Sequence, residues 1–175
     1  MYDPEIMKRI LDKFGAIAGH WSLVCQDHGI EGLIRFMTEP GIRNAVEIGT
    51  HHGSSAVVMA QMCGHLHTFD CIDFPERFEL WKEAGLKNIT SYVTPTDDEK
   101  EAILNGLDFD FAFLDGSHRE GVREDFMMVK KCGRVLFHDY PDAGNVEYAS
   151  IRRLVDGLPK SQVEIFHNFA MWRVS

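Results

Sequence analysis

The sequence NAVEIGTHHGSSAVV, residues 44–58, decides the predicted fold. It begins with a short apolar run, passes through a turn bracketed by Gly49 and Gly53, and continues as a helix-like segment from Ser54. Glycine lets the chain turn sharply and lets a ligand approach the backbone, and the start of the following helix offers unpaired N–H groups. The stretch therefore predicts either a ligand-binding turn or a tight strand–helix connection.

The same alternation of short apolar runs and helix-like segments continues along the chain. Four further runs are LHTFDCID (66–73), NITSYVT (88–94), DFAFLDG (110–116) and GRVLFHDY (133–140). Strands separated by helices need crossover connections, which favour an α/β fold with a doubly wound, mostly parallel sheet. The last two runs, QVEIFHN and AMWRVS, lie close together and predict an antiparallel hairpin at the sheet edge. Its exposed edges would allow a homodimer.

The length of 175 residues suits one compact domain with a sizeable core. We predict a single domain over residues 1–175. Two segments near the N-terminus carry apolar residues at helical spacing, and we expect residues 1–40 to form a helical cap. Residues 44–175 are then the α/β core.

The composition narrows the choice of partners and compartment. A net charge of −9 repels phosphate backbones, so we expect no nucleic acid or anionic membrane as a partner. No segment has the length and apolar character of a membrane span. The four cysteines show neither zinc-site nor disulfide spacing, and we interpret them as small buried residues in a reducing compartment. A cytoplasmic protein is predicted.

The glycine turn differs from a dinucleotide-binding turn. A GxGxxG pattern would need glycine at position 51, and the sequence has His51 there, which disfavours close approach of a pyrophosphate. Asp70 follows Gly49 by 21 residues and ends the second predicted strand, where a carboxylate can accept the hydroxyls of a ribose. Asp73 is the alternative acid.

Four segments together resemble a known family. VEIGTHHGSSAVVMA, HTFDCID, FAFLDGSH and VLFHDY, spread over about residues 44–140, are similar to class I S-adenosylmethionine-dependent methyltransferases. The similarity is strongest to the metal-assisted branch of catechol and caffeoyl-CoA O-methyltransferases. The resemblance implies a Rossmann-like methyltransferase fold, S-adenosyl-L-methionine as the cofactor and a small-molecule acceptor.

The resemblance also implies a set of cofactor-binding residues. The acid before the first glycine and the glycine turn would surround the methionine part of the cofactor, the acid ending the second strand would bind the ribose, and the turn after the third strand would lie by the adenine. The methionine part would be bound by Glu47, Gly49, Thr50, Gly53 and Ser55. The ribose would be bound by Asp70, and the adenine would lie beside Thr96 and Asp97. Asp115 would be a further contact of the cofactor.

Two acids end neighbouring strands of the predicted sheet. Asp115 and Asp139 would lie side by side, where carboxylates repel unless a cation or a shared proton lies between them. Alternatively, each acid caps the helix or turn that follows it. The resemblance implies a divalent metal, Mg²⁺ or similar, at this pair. The family usually has an amide side chain next, and this chain has Tyr140. The third ligand is left open between His138, Asn145, Asp142 and water.

The catalytic residues predicted are His118 and Asp115. His118 occupies the position of the family's basic lysine, and a histidine with an ordinary pKa of about 6.5 suits proton removal at neutral pH. The alternative is a surface histidine at a helix start. We predict methyl transfer to an oxygen of a small molecule. Two other functions stay open, a nicotinamide-dependent oxidoreductase and a non-catalytic module that binds S-adenosylmethionine.

Overall fold

The computed structural model describes residues 1–18, 28–116, 121–140 and 149–174. Side chains in the last turn of the first helix, residues 16–18, are not part of this description. Three residues named from the sequence, His118, Asp142 and Asn145, lie outside the described residues.

Helices and strands alternate through the chain as the sequence predicts. The helices are α1 (Pro4–Ala18), α2 (Gly29–Met37), α3 (Ser54–Ala60), α4 (Glu76–Glu83), α5 (Asp97–Asn105), α6 (Gly121–Val129) and α7 (Ala149–Asp156). The strands are β1 (Asn44–Ile48), β2 (His65–Asp70), β3 (Ile89–Val93), β4 (Phe111–Leu114), β5 (Arg134–Phe137), β6 (Val163–Phe166) and β7 (Phe169–Arg173). Short 3₁₀ turns precede β5 and β6, at Lys130–Cys132 and Lys160–Gln162.

The seven strands form one sheet in the order β3-β2-β1-β4-β5-β7-β6. Strands β1 to β5 pair in parallel, and β7 pairs antiparallel with both β5 and β6. The order reverses direction between β1 and β4, and this crevice is where ligands bind in open α/β sheets. The predicted fold class, including the C-terminal hairpin, is confirmed. Pairing of the β6 edge with a second subunit stays a prediction.

Helices cover both faces of the sheet. Helices α1 to α4 pack with one another on one face, and α5 to α7 pack on the other. Each face of the sheet has its own hydrophobic core. Alternate residues of one strand pack into the two different cores, because side chains along a strand point to opposite faces. In β4, Phe111 and Phe113 join the first core, while Ala112 and Leu114 join the second. Within the described ranges, no helix is both long and apolar enough to cross a membrane.

The predicted burial of the cysteines is wrong for Cys71 and holds in part for Cys63 and Cys132, the other two that are described. Cys71 is exposed because it follows the last residue of β2 and leaves the sheet. Cys63 and Cys132 are half-buried, and each Sγ donates a hydrogen bond to a backbone carbonyl at the start of the next strand, 3.3 Å to His65 and 3.1 Å to Arg134. Burial raises the pKa of both thiols, to about 12 for Cys63 and about 11 for Cys132.

A glycine allows α2 to approach the sheet closely. A Cβ atom on Gly32 would lie 2.1 Å from the ring of Phe169, which is fully buried in β7. The Phe169 ring therefore packs directly on the backbone of α2. Gly15 in α1 offers the contrast, since a Cβ there would meet nothing within 4 Å.

We expect Gly32→Ala to destabilise the protein by about 1–3 kcal/mol, because the methyl group overpacks the contact with Phe169. Gly15→Ala is the matched control and should stabilise the protein by up to about 1 kcal/mol through helix propensity alone. Urea unfolding followed by circular dichroism measures both. Equal effects of the two substitutions would contradict the close packing of α2 on β7.

Candidate active site

Backbone hydrogen bonds continue beyond the ends of three adjacent strands. The N–H of Gly49 donates to Phe69 O at 2.9 Å, that of Asp115 to Ile48 O at 2.9 Å, and that of His138 to Leu114 O at 3.1 Å. The residues that follow β1, β4 and β5 are thus held side by side at the carboxyl edge of the sheet. The same edge contains Asp70, the last residue of β2.

Gly49 makes the closest backbone approach of this edge. It has a φ of 96°, and a Cβ atom there would lie 2.4 Å from the carbonyl of Asp115 and from Cα of Gly116. Only glycine combines this left-handed conformation with so close a neighbour. The turn after β1 is therefore packed directly on the end of β4.

Glu47 is a fully buried acid in the middle of the sheet. Its Oε1 accepts a hydrogen bond from the Ser55 hydroxyl, and its Oε2 has no hydrogen-bond partner among the described residues. Burial, reinforced by the charges of Asp115 and Asp70, outweighs the hydrogen bond from Ser55 and raises the pKa of Glu47 to about 8. A cationic ligand bound beside Oε2 would favour the ionised carboxylate and lower this pKa again.

Asp70 connects the end of β2 to the glycine turn. Its Oδ2 accepts the N–H of His51 at 2.7 Å, and its Oδ1 accepts the N–H of Ile72 at 3.0 Å. Each carboxylate oxygen retains a second lone pair, so the group can still accept hydrogen bonds from a diol. Asp73, the alternative acid, has a side chain that is 62% exposed and lies 3.6 Å from Arg77.

The two histidines of the turn pack on the loop that precedes α4. His51 has a φ of 48°, and its ring lies 4.0 Å from the His52 ring and 4.8 Å from the Phe74 ring. His52 Nδ1 lies 2.8 Å from Glu76 Oε1. Burial, together with the charge of His52, lowers the pKa of His51. The side chains at positions 51 and 52 therefore connect the turn to α4.

Four other predicted cofactor residues have structural roles of their own. Thr50 is buried and donates to Phe69 O at 3.2 Å. Thr96 caps α5 in a reciprocal capping box with Glu99, and Asp97 forms an ion pair with Lys100 at 2.9 Å. Gly53, with a φ of 81°, is the cap residue of α3. The cofactor roles of these residues stay predictions.

Asp115, His138 and Asp139 form one cluster of potential metal ligands. One ligand atom from each residue lies within 4.8 Å of the other two. His138 Nδ1 lies 2.9 Å from Asp115 Oδ1 and 3.3 Å from Asp139 Oδ1. Burial of the ring works against the imidazolium, but the two carboxylates outweigh it and raise the pKa of His138 to about 10. A cation, either a metal ion or a proton on His138, is therefore favoured between the acids.

The structure shows contacts of two further residues near this cluster that the sequence did not indicate. The amide Nδ2 of Asn168, in the turn between β6 and β7, lies 2.8 Å from His138 Nε2. Tyr140 turns away from the acids, because it is buried and its hydroxyl donates to Asp156 Oδ1 in α7 at 2.9 Å. An amide is thus present beside the cluster, but it comes from the hairpin and contacts the histidine.

The buried Glu47 makes stability depend on pH. Its carboxyl group has a pKa of about 8 in the folded protein and about 4.3 when unfolded, so the folded state binds the extra proton and loses stability as pH rises between these values. Glu47→Gln removes this effect. We expect the free energy of unfolding of Glu47→Gln, taken relative to that of wild type, to increase by about 3 kcal/mol from pH 5 to pH 8.

Urea unfolding at both pH values measures this difference. Glu79→Gln, at a side chain that is 71% exposed on α4, is the matched control and should show no such change. A stability difference between Glu47→Gln and wild type that is the same at pH 5 and pH 8 would contradict the buried, protonated carboxyl group.

Comparisons with known proteins agree with this geometry. The model of a family described as a methyltransferase domain matches residues 46–140, which include β1 to β5 and the acids at their ends. The comparison with curated proteins finds no significant sequence match. The match with the methyltransferase-domain family gives no support to the two predicted alternatives, a nicotinamide-dependent oxidoreductase and a non-catalytic module.

Three solved structures share the fold over nearly the whole chain. An O-methyltransferase from Bacillus cereus in complex with SAH has a TM-score of 0.74 and 17% identity, covering 100% of this chain and 93% of its own. An O-methyltransferase from Streptomyces achromogenes, involved in tomaymycin synthesis and in complex with SAM, has a TM-score of 0.69 and 18% identity, covering 99% and 91%. An SAH-bound methyltransferase from Podospora anserina has a TM-score of 0.74 and 13% identity, covering 99% and 89%.

The family match includes more than half of the chain and contains the glycine turn, Asp70, Asp115 and Asp139. It confirms the resemblance inferred from the sequence. The chain belongs to the family of methyltransferase domains and is an enzyme of the class I S-adenosylmethionine-dependent group.

Proposed function

We propose that the enzyme transfers the methyl group of S-adenosylmethionine to an oxygen of a small-molecule acceptor, with the help of a divalent metal. The observation that carries this proposal is the position of the Asp115, His138 and Asp139 cluster beside the glycine turn at one edge of the sheet. Similar folds that are O-methyltransferases with bound SAM or SAH support the same reaction.

The cofactor would occupy the crevice between the ends of β1, β2 and β4. The buried carboxyl group of Glu47 suits the ammonium group of the methionine part, and the carboxylate of Asp70 suits the ribose hydroxyls. The sulfonium methyl group is already activated. The protein therefore needs mainly to align it with the acceptor oxygen for in-line displacement and to remove one proton.

The acidic cluster fits a divalent cation. Two carboxylate oxygens and one imidazole nitrogen converge there, and this mixed donor set favours a transition metal such as Mn²⁺ or Zn²⁺ over Mg²⁺. With a cation at Nδ1, Nε2 of His138 carries the ring proton, and the side-chain amide of Asn168 would orient the ring by accepting that hydrogen bond through its oxygen. A cation held at this site would act as a Lewis acid that lowers the pKa of an acceptor hydroxyl. We propose His118 as the residue that takes the proton.

Calorimetric titration with S-adenosylmethionine and S-adenosylhomocysteine tests the core of the proposal. Both ligands should bind in the micromolar range, and Asp70→Asn should weaken binding about tenfold because the ribose loses a charged acceptor. Asp73→Asn is the matched control and should bind as wild type does. If neither ligand binds to the wild type up to about 1 mM, the proposed function is wrong.

Turnover of a panel of phenols and sugar alcohols, followed as S-adenosylhomocysteine formation, tests the metal and the base. EDTA and Asp139→Ala should each abolish activity while leaving S-adenosylhomocysteine binding intact, and added Mn²⁺ should restore activity after EDTA. His118→Ala should lower turnover by about 10²-fold or more and change its pH profile between pH 6 and pH 8.

Two results would contradict these roles. Activity that survives both EDTA and Asp139→Ala would show that the acids do not act through a metal. Unchanged turnover of His118→Ala across pH 6 to pH 8 would exclude His118 as the base. Both Asp139→Ala and His118→Ala should bind the cofactor as wild type does.

A further inference from the structure

A second group of potential metal ligands lies where the start of α2 meets the turn between β6 and β7. It consists of His28, Glu31 and His167, and one ligand atom from each residue lies within 4.8 Å of the other two. His28 Nδ1 lies 2.8 Å from Glu31 Oε2, and the rings of His28 and His167 are stacked with their centroids 3.7 Å apart. All three residues are exposed, and we call them the surface cluster.

Both histidines of the surface cluster have an uncommon backbone conformation. His28, the residue that precedes α2, has a φ of 63°, and His167, in the hairpin turn, has a φ of 52°. Residues other than glycine rarely adopt this left-handed region, and those that do are often found at ligand sites, where the surrounding structure holds them. The two rings thus meet in a defined arrangement although they come from distant parts of the chain.

Packing between α2 and the hairpin holds the surface cluster in place. The Phe169 ring lies against Gly32, where a Cβ atom would be 2.1 Å from it, and Arg35 donates to Glu164 Oε1 at 2.6 Å. Gly32 and Phe169 are each within two residues of the cluster. Because these contacts already fix the two elements relative to each other, a ligand that joins them has little ordering cost to overcome.

Two imidazole rings and one carboxylate form a ligand set that suits Zn²⁺. Zinc is bound by histidine nitrogen and carboxylate oxygen in a tetrahedral arrangement, and three protein ligands with water as the fourth are common. Two ligand atoms of a tetrahedral zinc ion lie about 3.3 Å apart, so rotations of these exposed side chains are sufficient to bring them to bonding distance. The rings, which are 8° from parallel, must turn so that one nitrogen of each points at the ion.

We propose that the surface cluster binds Zn²⁺ and that the ion joins the start of α2 to the β6–β7 turn. Water completes the coordination, because the three side chains leave the site open to solvent. The inference does not depend on methyl transfer, since none of the three residues is assigned to the cofactor or the acceptor. The ion also holds the turn that carries Asn168, whose amide contacts His138 at 2.8 Å.

Zinc binding to Asp139→Ala tests the inference. This parent protein lacks one carboxylate of the Asp115, His138 and Asp139 cluster, so that zinc binding reports mainly on the surface cluster. Equilibrium dialysis with metal analysis should find about one Zn²⁺ per chain, bound in the micromolar range.

Three substitutions, each added to the parent, remove one ligand of the surface cluster at a time. They are His28→Asn, Glu31→Gln and His167→Asn. Each should weaken zinc binding about 100-fold, because even groups that only orient a ligand change metal affinity about 10- to 100-fold. Asparagine tolerates the left-handed conformation, so the two histidine variants keep the backbone of the turn.

Two controls separate specific binding from a general effect of charge. Glu79→Gln, at the exposed position on α4, is matched to Glu31→Gln and should leave zinc binding to the parent unchanged. Millimolar Mg²⁺ should not displace the zinc, because Mg²⁺ prefers six oxygen ligands. Circular dichroism shows whether each variant is folded.

Hydrogen exchange of the parent locates the ion even if a variant does not fold. Zn²⁺ should slow amide exchange in α2 and in the β6–β7 turn and leave α4 unchanged. The inference is wrong if the parent binds no Zn²⁺ up to about 1 mM, if folded variants of the surface cluster bind zinc as tightly as the parent, or if zinc slows exchange only elsewhere. These results leave the proposed function intact, since that is tested by binding of S-adenosylmethionine.

Discussion

The contact on which the site depends is the backbone packing of Gly49 against the end of β4. A side chain at position 49 would overlap the carbonyl of Asp115 and Cα of Gly116, so the turn after β1 can lie there only without a Cβ. This contact brings the glycine turn and Asp115 to the same point of the sheet edge. It also lies where the strand order reverses, which opens the crevice between β1 and β4.

Three ionisable groups are buried at a cost in stability. Glu47, Arg77 and His138 are almost completely buried, while most of the two cores on either side of the sheet is aliphatic or aromatic. Burial favours the protonated form of Glu47, whereas two carboxylates favour the protonated form of His138. Buried polar groups that lack hydrogen-bond partners in the folded protein can gain such partners from a ligand. This gain is the physical link between the fold and the function of this protein.

Much of the site could be predicted because parallel strands end at a common edge. Asp70, Asp115 and Asp139 follow apolar runs in the sequence, and the alternation of strands and helices is sufficient to place such residues together. Asn168 could not be found this way. It lies in a hairpin turn, and its contact with His138 depends on β7 pairing antiparallel with β5, which places the turn beside the acids. Arg77 was equally hidden, since an arginine in an amphipathic helix is usually exposed.

The sequence by itself determined the fold class, the glycine turn and the identity of the acids at the strand ends, because these follow from local periodicity and from the conformational freedom of glycine. Only the tertiary structure decided which groups are buried and which contacts they make. The Tyr140 hydroxyl donates to Asp156 of α7 and points away from the acids. Arg77 is enclosed beside Trp81, with no hydrogen-bond acceptor among the described residues. Burial and pairing depend on packing between elements distant in the chain, and no local pattern of residues records that packing.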